Sequence, residues 1–437
     1  MNRILIQDGL IIPMDKSLAD GGELHYTGDV AVEQGKIVAA GPEGTIPADW
    51  KPDKIIDARG KAVLPGFINC HTHAAMTLFR SYADDLPLMQ WLGEKIWPLE
   101  ENLQSEDVYW GTQLAILEMI RSGTTTFADM YFFMDQVAQA VAETGIRACL
   151  SRGMIGVAPT RDEALKESKE LVRNWHRQAE GRINVMLGPH APYTCPPDYL
   201  DKVLEMAAEL TVGIHIHLAE TRDEVRDITK QYGKTPIRLM EEVGLFKFPV
   251  LAAHCVHLDE EEIEILKTHG VGVVHNPESN MKLASGIAPV SRMLEVGVKV
   301  GLGTDGPASN NNLDLIEEMR TAALLQKVSM QDPTAIPAYQ ALEMATRLGA
   351  AALGLSEEVG VIKPGYKADI ILVDLNQPHF YPHHDPLAHL VYAARGADVD
   401  TVIIDGKVVM ENREVKTIDT ERVYWEVEQS ARRLAGR

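Results

Sequence analysis

His71 and His73 stand two positions apart at the end of an apolar run, Pro65-Gly66-Phe67-Ile68-Asn69-Cys70. In a strand, side chains alternate between faces, so both imidazoles point to the same side. Two imidazoles on one face can grip a divalent ion, and ring nitrogens suit zinc, iron and similar borderline metals. A lone His-x-His is a common surface accident, so its weight rests on partners further along the chain. His217 ends a later apolar run, and Asp305 follows another in Gly303-Thr304-Asp305-Gly306. His71, His73, His217 and Asp305 together form a donor set for one divalent cation that leaves a position open for water. Water bound in such a position loses its proton near neutral pH. Zinc is the expected ion and iron the competitor, because ligand type alone does not separate them. No lysine closes the run Asn184-Val185-Met186-Leu187-Gly188-Pro189. A carboxylated lysine bridging two ions is therefore not expected, and a single ion is.

Proton-handling groups follow the same spacing. Glu220 lies three residues past His217, where a carboxylate can shuttle protons beside the ion. His254 ends the run Ala252-Ala253-His254 and is expected near the metal-bound water. Asp305 is both a donor to the ion and the expected acceptor of the water proton. His190 follows Gly188-Pro189. His215 shares a face with His217 but sits deeper, and is read as structural. Three other motifs fall away. Gly301-Leu302-Gly303-Thr304-Asp305-Gly306 fits G-x-G-x-x-G, but no acidic residue follows ~20 positions on, as a dinucleotide site requires. The H-x-E…P-C-x-x-C and H-E-x-x-H signatures are absent.

These residues need a scaffold that brings strand ends together. Apolar strand candidates fall at 62–69, 124–128, 147–150, 183–187, 212–218, 250–254, 271–274 and 298–302. Helical runs such as 105–122, 162–180, 197–210 and 259–269 lie between them. Eight strands alternating with helices predict an α/β fold, a (β/α)8 TIM barrel over residues 60–361. In such barrels the active site is built from the C-terminal strand ends, where the polar residues above cluster. Residues 1–59 and 362–437 instead read as short strands with Gly-rich turns, plus a terminal helix at 420–437. Both chain ends are expected to join in one small β-sandwich domain, because chain termini often lie close together.

Composition sets outer limits. The chain has 437 residues, 45% of them hydrophobic and 24% charged, the mix of an ordinary globular protein. A net charge of -21 repels phosphate backbones, so neither nucleic acid nor an anionic membrane is an expected partner. The four cysteines form no C-x-x-C pair, which argues against a thiolate metal site and fits a reducing compartment. No signal peptide and no membrane span are expected, and the cytoplasm is the expected location.

Longer runs carry a family resemblance. His71-Thr72-His73-Ala74-Ala75-Met76-Thr77-Leu78 and Ile216-His217-Leu218-Ala219-Glu220-Thr221 are two of them. His275-Asn276-Pro277-Glu278-Ser279-Asn280 and Gly303-Thr304-Asp305-Gly306-Pro307-Ala308-Ser309-Asn310 are the others. Together they resemble the amidohydrolase superfamily and, within it, the 5'-methylthioadenosine/S-adenosylhomocysteine deaminases. The likeness extends over nearly the whole chain. It implies a metal-dependent deaminase of those nucleosides, with adenosine as a further substrate, and a homo-oligomer is expected. By the same resemblance Glu100 would hold the ribose hydroxyls and Trp91 would wall the pocket. Arg152 and His190 would contact substrate, Arg152 in a neighbouring subunit's site. Ser309 would touch the purine, and Arg161 would bind a substrate carboxylate. The rival readings are an aminohydrolase of guanine or cytosine, a chlorohydrolase of an s-triazine, and a non-catalytic assembly protein on the same fold.

Overall fold

The computed structural model describes residues 3–22 and 24–436. Eight parallel strands pair in sequence order into a barrel. They are Phe67–Thr72, Thr124–Tyr131, Arg147–Met154, Ile183–Pro189, Ile214–Leu218, Val250–His254, Gly272–His275 and Lys299–Leu302. Helices such as Ser105–Arg121, Pro197–Leu210 and Glu260–Thr268 connect them. Ala128, Cys149, Leu251 and Val274 share one buried apolar cluster. Their strands lie on opposite sides of the ring, so these small and branched side chains meet across its interior.

The ring is closed by polar contacts between its first and last strands. The Thr304 N–H donates to Asn69 Oδ1 at 3.1 Å, and Asn69 Nδ2 donates to Thr304 Oγ1 at 2.8 Å. One residue on, the Asp305 N–H donates to the His71 carbonyl at 3.0 Å. The seam thus holds two of the expected metal donors against each other.

The run expected as one strand at 62–69 is two. Lys61–Pro65 belongs to a separate sheet, and Phe67–Thr72 to the barrel. Gly66 makes the switch, because a Cβ there would lie 2.1 Å from Thr125 Oγ1. The fifth strand starts at Ile214 rather than at residue 212.

Both chain ends build the second sheet. Its N-terminal strands include Arg3–Ile11, Tyr26–Glu33 and Lys36–Gly41, and its C-terminal ones Ile370–Asp374, Val399–Ile404 and Lys407–Glu411. Lys61–Pro65 pairs antiparallel with Ile370–Asp374 and joins the two halves. Instead of two separate sheets, nine strands make one sheet: eight follow one another in a single ladder, and Lys54–Asp57 pairs beside it with Arg3–Ile11. It bends over a core that includes Ile6, Val32, Ile37, Ile370 and Ile403. Gly35 and Gly406, from hairpins in opposite halves, meet so closely that a Cβ on Gly406 would lie 2.7 Å from the Gly35 Cα. Arg147, at the foot of the third barrel strand, grips Asp369 of this sheet's side with two hydrogen bonds of 2.8 and 3.0 Å. Both side chains are almost fully buried.

Candidate active site

His71, His73 and His217 converge with Asp305 at the C-terminal end of the barrel. Asp305 Oδ1 lies 3.4 Å from His71 Nε2 and 3.3 Å from His73 Nε2. His73 Nε2 and His217 Nε2 are 3.4 Å apart. The three imidazoles offer ligand nitrogens that all lie within 4.8 Å of one another.

The far side of each ring is already committed. His73 Nδ1 donates to the Met130 carbonyl and His217 Nδ1 to the His190 carbonyl, each at 2.6 Å. His71 Nδ1 contacts His215 Nε2 at 2.8 Å, and His215 Nδ1 contacts Ser151 Oγ at 3.1 Å. If His215 Nε2 accepts from His71, its own Nδ1 proton goes to Ser151. Such partners fix which ring nitrogen keeps a lone pair and turn it toward the shared point. His71 Nε2 is buried without a hydrogen-bond partner. A buried orphan nitrogen and two imidazole nitrogens facing each other beside a carboxylate fit a divalent cation.

The electrostatics agree. Burial lowers His71 to about 4 and holds His217 well below the ordinary imidazole range. Burial opposes charge on His73 as well, but the hydrogen bond and charge of Asp305 override it and raise His73 to about 9. The cage therefore draws positive charge to the carboxylate. Asp305 itself is anchored by three donors. The Gly306 N–H reaches Oδ1 at 2.8 Å, while Ser279 and Ser309 hydroxyls reach Oδ2 at 2.6 and 3.1 Å.

Glu220 and His254 complete this end. Glu220 Oε2 lies 3.8 Å from His254 Nε2, and Glu220 Oε1 accepts the Ser285 hydroxyl at 3.2 Å. Both side chains are buried, and burial raises the Glu220 carboxyl above its ordinary value. His254 Nδ1 meets Asn280 Oδ1 at 2.9 Å. Its backbone φ of 73° is left-handed, a conformation that recurs at functional sites.

One cavity runs from this cluster to Glu100. Glu100 Oε1 accepts the Tyr131 hydroxyl at 2.8 Å, and burial raises its carboxyl. Trp91 lines the wall and donates its indole N–H to the Ala83 carbonyl at 3.0 Å. His190 and Ser309 line it too. The remaining wall is largely apolar, with Trp97, Phe132, Ile155 and Leu283.

The two arginines are not brought to this cavity within the chain. Arg152 points to Glu167, 2.6 Å away, with its guanidinium 5.0 Å from the Phe132 ring centre. Arg161 opens the helix Arg161–Trp175. Its guanidinium lies 5.5 Å from the centre of the Tyr199 ring and 3.7 Å from Asp198. Glu167, Asp198 and Tyr199 on the outer helices, with Phe132 just past the second barrel strand, claim both cations. Among the described residues lining the cavity, none is lysine or arginine.

Tyr131, Ser279 and Ser151 take part in the site without having been singled out from sequence. Ser279 lies inside the His275–Asn280 run already noted, and Tyr131 ends the second barrel strand. Position at a strand end was the available signal for Tyr131.

Comparison with known proteins agrees with this geometry. The pattern of the Amidohydrolase family matches residues 62–409. A protein of Pelotomaculum thermopropionicum named 5-methylthioadenosine/S-adenosylhomocysteine deaminase is 59% identical over 437 residues, 100% of both chains. An adenosine deaminase from Xanthomonas campestris with bound zinc superposes with a TM-score of 0.94 at 37% identity, over 99% of each chain. An atrazine chlorohydrolase from Arthrobacter aurescens, complexed with zinc, superposes with a TM-score of 0.89 at 26% identity, over 98% of this chain and 100% of its own.

Proposed function

From the premise that this chain belongs to the amidohydrolase family, we propose that it is a metal-dependent hydrolytic deaminase of adenine nucleosides. Its proposed substrates are 5'-methylthioadenosine and S-adenosylhomocysteine. Water and the nucleoside yield the 6-oxo purine analogue and ammonia. The observation that carries the reading is one cavity that joins the His/Asp cage to the half-buried carboxyl of Glu100. Full-length similarity to a relative named for that activity supports it. No helix among the described residues is long and apolar enough to cross a membrane.

His71, His73, His217 and Asp305 would hold one divalent ion, zinc in our proposal. When bound, the ion supplies Lewis acidity that makes water a nucleophile near neutral pH. Asp305 takes the proton of the attacking water through the carboxylate that Ser279 and Ser309 orient. His254 holds that water by its Nε2. Glu220, whose burial favours the protonated acid, delivers a proton to the ring nitrogen N1. The ring can then accept attack at C6. Collapse of the tetrahedral carbon to the 6-oxo form expels ammonia: the proton taken by Asp305 passes to the leaving nitrogen, and the C6 hydroxyl proton returns to Glu220, which restores both groups. Glu100 accepts from the vicinal ribose hydroxyls with the oxygen that Tyr131 leaves free. Trp91, His190 and Ser309 wall and orient the purine.

The test is a substrate panel followed by loss of adenine absorbance, with metal content measured on the same sample. Turnover of adenine nucleosides, and none of guanine, cytosine or an s-triazine, is expected. Turnover confined to a free base or a triazine would overturn the nucleoside reading.

A further inference from the structure

Glu220 sits on a strained turn, and a second buried carboxylate holds that turn in place. The fifth barrel strand ends at Leu218, and the next residue, Ala219, has a left-handed φ of 51°. Side chains with a Cβ rarely adopt that conformation, so it persists only where surrounding contacts enforce it. The Ala219 N–H donates to Glu224 Oε1 at 3.0 Å, and the Glu220 N–H donates to Glu224 Oε2 at 2.8 Å. One carboxylate thus spans two consecutive amides. The grip is reciprocal, because the Glu224 N–H donates to Thr221 Oγ1 at 3.1 Å. On the other side of the turn, the Leu218 carbonyl accepts from Cys255, and the Ala219 carbonyl from Val256 and His257, each at 3.0 Å.

The Glu220 side chain has much less support. Its one side-chain hydrogen bond among the described residues is from Ser285. Its direction into the cavity is therefore set by the backbone that Glu224 clamps. Glu224 is itself buried and does not line the cavity.

We propose that Glu224 is a positioning residue for the deamination: it fixes the backbone turn that aims Glu220 at the substrate ring. The proposal rests on the role of Glu220 given above, and acts through Glu220 alone. Glutamine at 224 keeps one acceptor but turns an N–H₂ toward a backbone N–H, so one of the two contacts is lost and the other strained.

The experiment is a double-mutant cycle on the full-length, metal-loaded protein, read with amide hydrogen exchange of the 218–221 segment. Glu224→Gln is expected to lower kcat roughly 10-fold or more, the scale of a lost charge-assisted hydrogen bond. KM and metal content should stay near wild type, and exchange at Ala219 and Glu220 should quicken. In a Glu220→Gln background the same substitution should change kcat less than about 3-fold, because coupled residues are not additive. Equal losses in both backgrounds, or unchanged exchange, would overturn the proposal. Should Glu224→Gln fail to fold, Glu224→Asp carries the same cycle with an acceptor one methylene too short. If the wild type deaminates no adenine nucleoside, the functional reading falls, and the exchange measurement alone decides whether Glu224 holds the turn.

Discussion

His73 Nε2 and His217 Nε2 face each other at 3.4 Å, each ring pinned from behind by a backbone carbonyl 2.6 Å away. Pinned in this way, the pair presents two lone pairs to a single point, which a cation stabilises. His217→Ala should therefore lose bound metal and turnover together while the barrel stays folded. Elemental analysis and circular dichroism check it. Full metal occupancy with near-normal rate would remove the site. Chelation of the wild type should also lower Tm, since an ion that binds only the folded state adds stability by mass action.

Glu220→Gln keeps the shape of the side chain and removes its proton. Groups of this kind contribute ~10²–10⁴-fold to rate. A fall of that order in kcat, with metal content unchanged, is expected. A variant keeping more than about a tenth of the rate would take Glu220 out of the chemistry.

Glu100 and Tyr131 should behave as one unit. Glu100→Ala is expected to damage nucleosides far more than any free base, measured as kcat/KM. Tyr131→Phe removes one neutral hydrogen bond, worth ~1 kcal/mol. It should raise KM about 5-fold and leave kcat nearly unchanged. Wild-type kcat/KM on nucleosides in the alanine variant would show that the ribose is held elsewhere.

Arg161 tests the opposite expectation. Its guanidinium lies over Tyr199 and beside Asp198, outside the cavity wall. Arg161→Met should therefore leave the ratio of rates on S-adenosylhomocysteine and methylthioadenosine unchanged within about 2-fold. A selective loss on the first substrate of roughly 10-fold or more, the scale of a charge-assisted contact, would return Arg161 to the carboxylate of the substrate.

What sequence made legible here follows from periodicity. His71, His73 and His217 could be read because strand alternation and strand-end position together constrain where such side chains go. Asp305 was readable for its place just after the last apolar run. The division at Pro65-Gly66 was not, because apolar residues continue on both sides, and only the approach of Thr125 to Gly66 separates the two strands. Arg152 and Arg161 were placed by resemblance at loop and strand ends. Their direction depends on Glu167, Asp198 and Tyr199, partners that no local spacing reveals. Glu224 was likewise invisible, since glutamate in a first helical turn usually faces solvent, whereas here the chain folds back on it.

The Arg147–Asp369 pair ties residues 222 positions apart across the two sheets. Melting one unit alone breaks this buried pair and its two hydrogen bonds, and a guanidinium left buried without its partner would cost about 3–5 kcal/mol. Either unit melting first gives up that pair, and heat is expected to meet a single cooperative block. The barrel is thus not a module to be cut out: the chain ends are its keystone, and an excised 60–361 fragment would carry an unneutralised cation at its base.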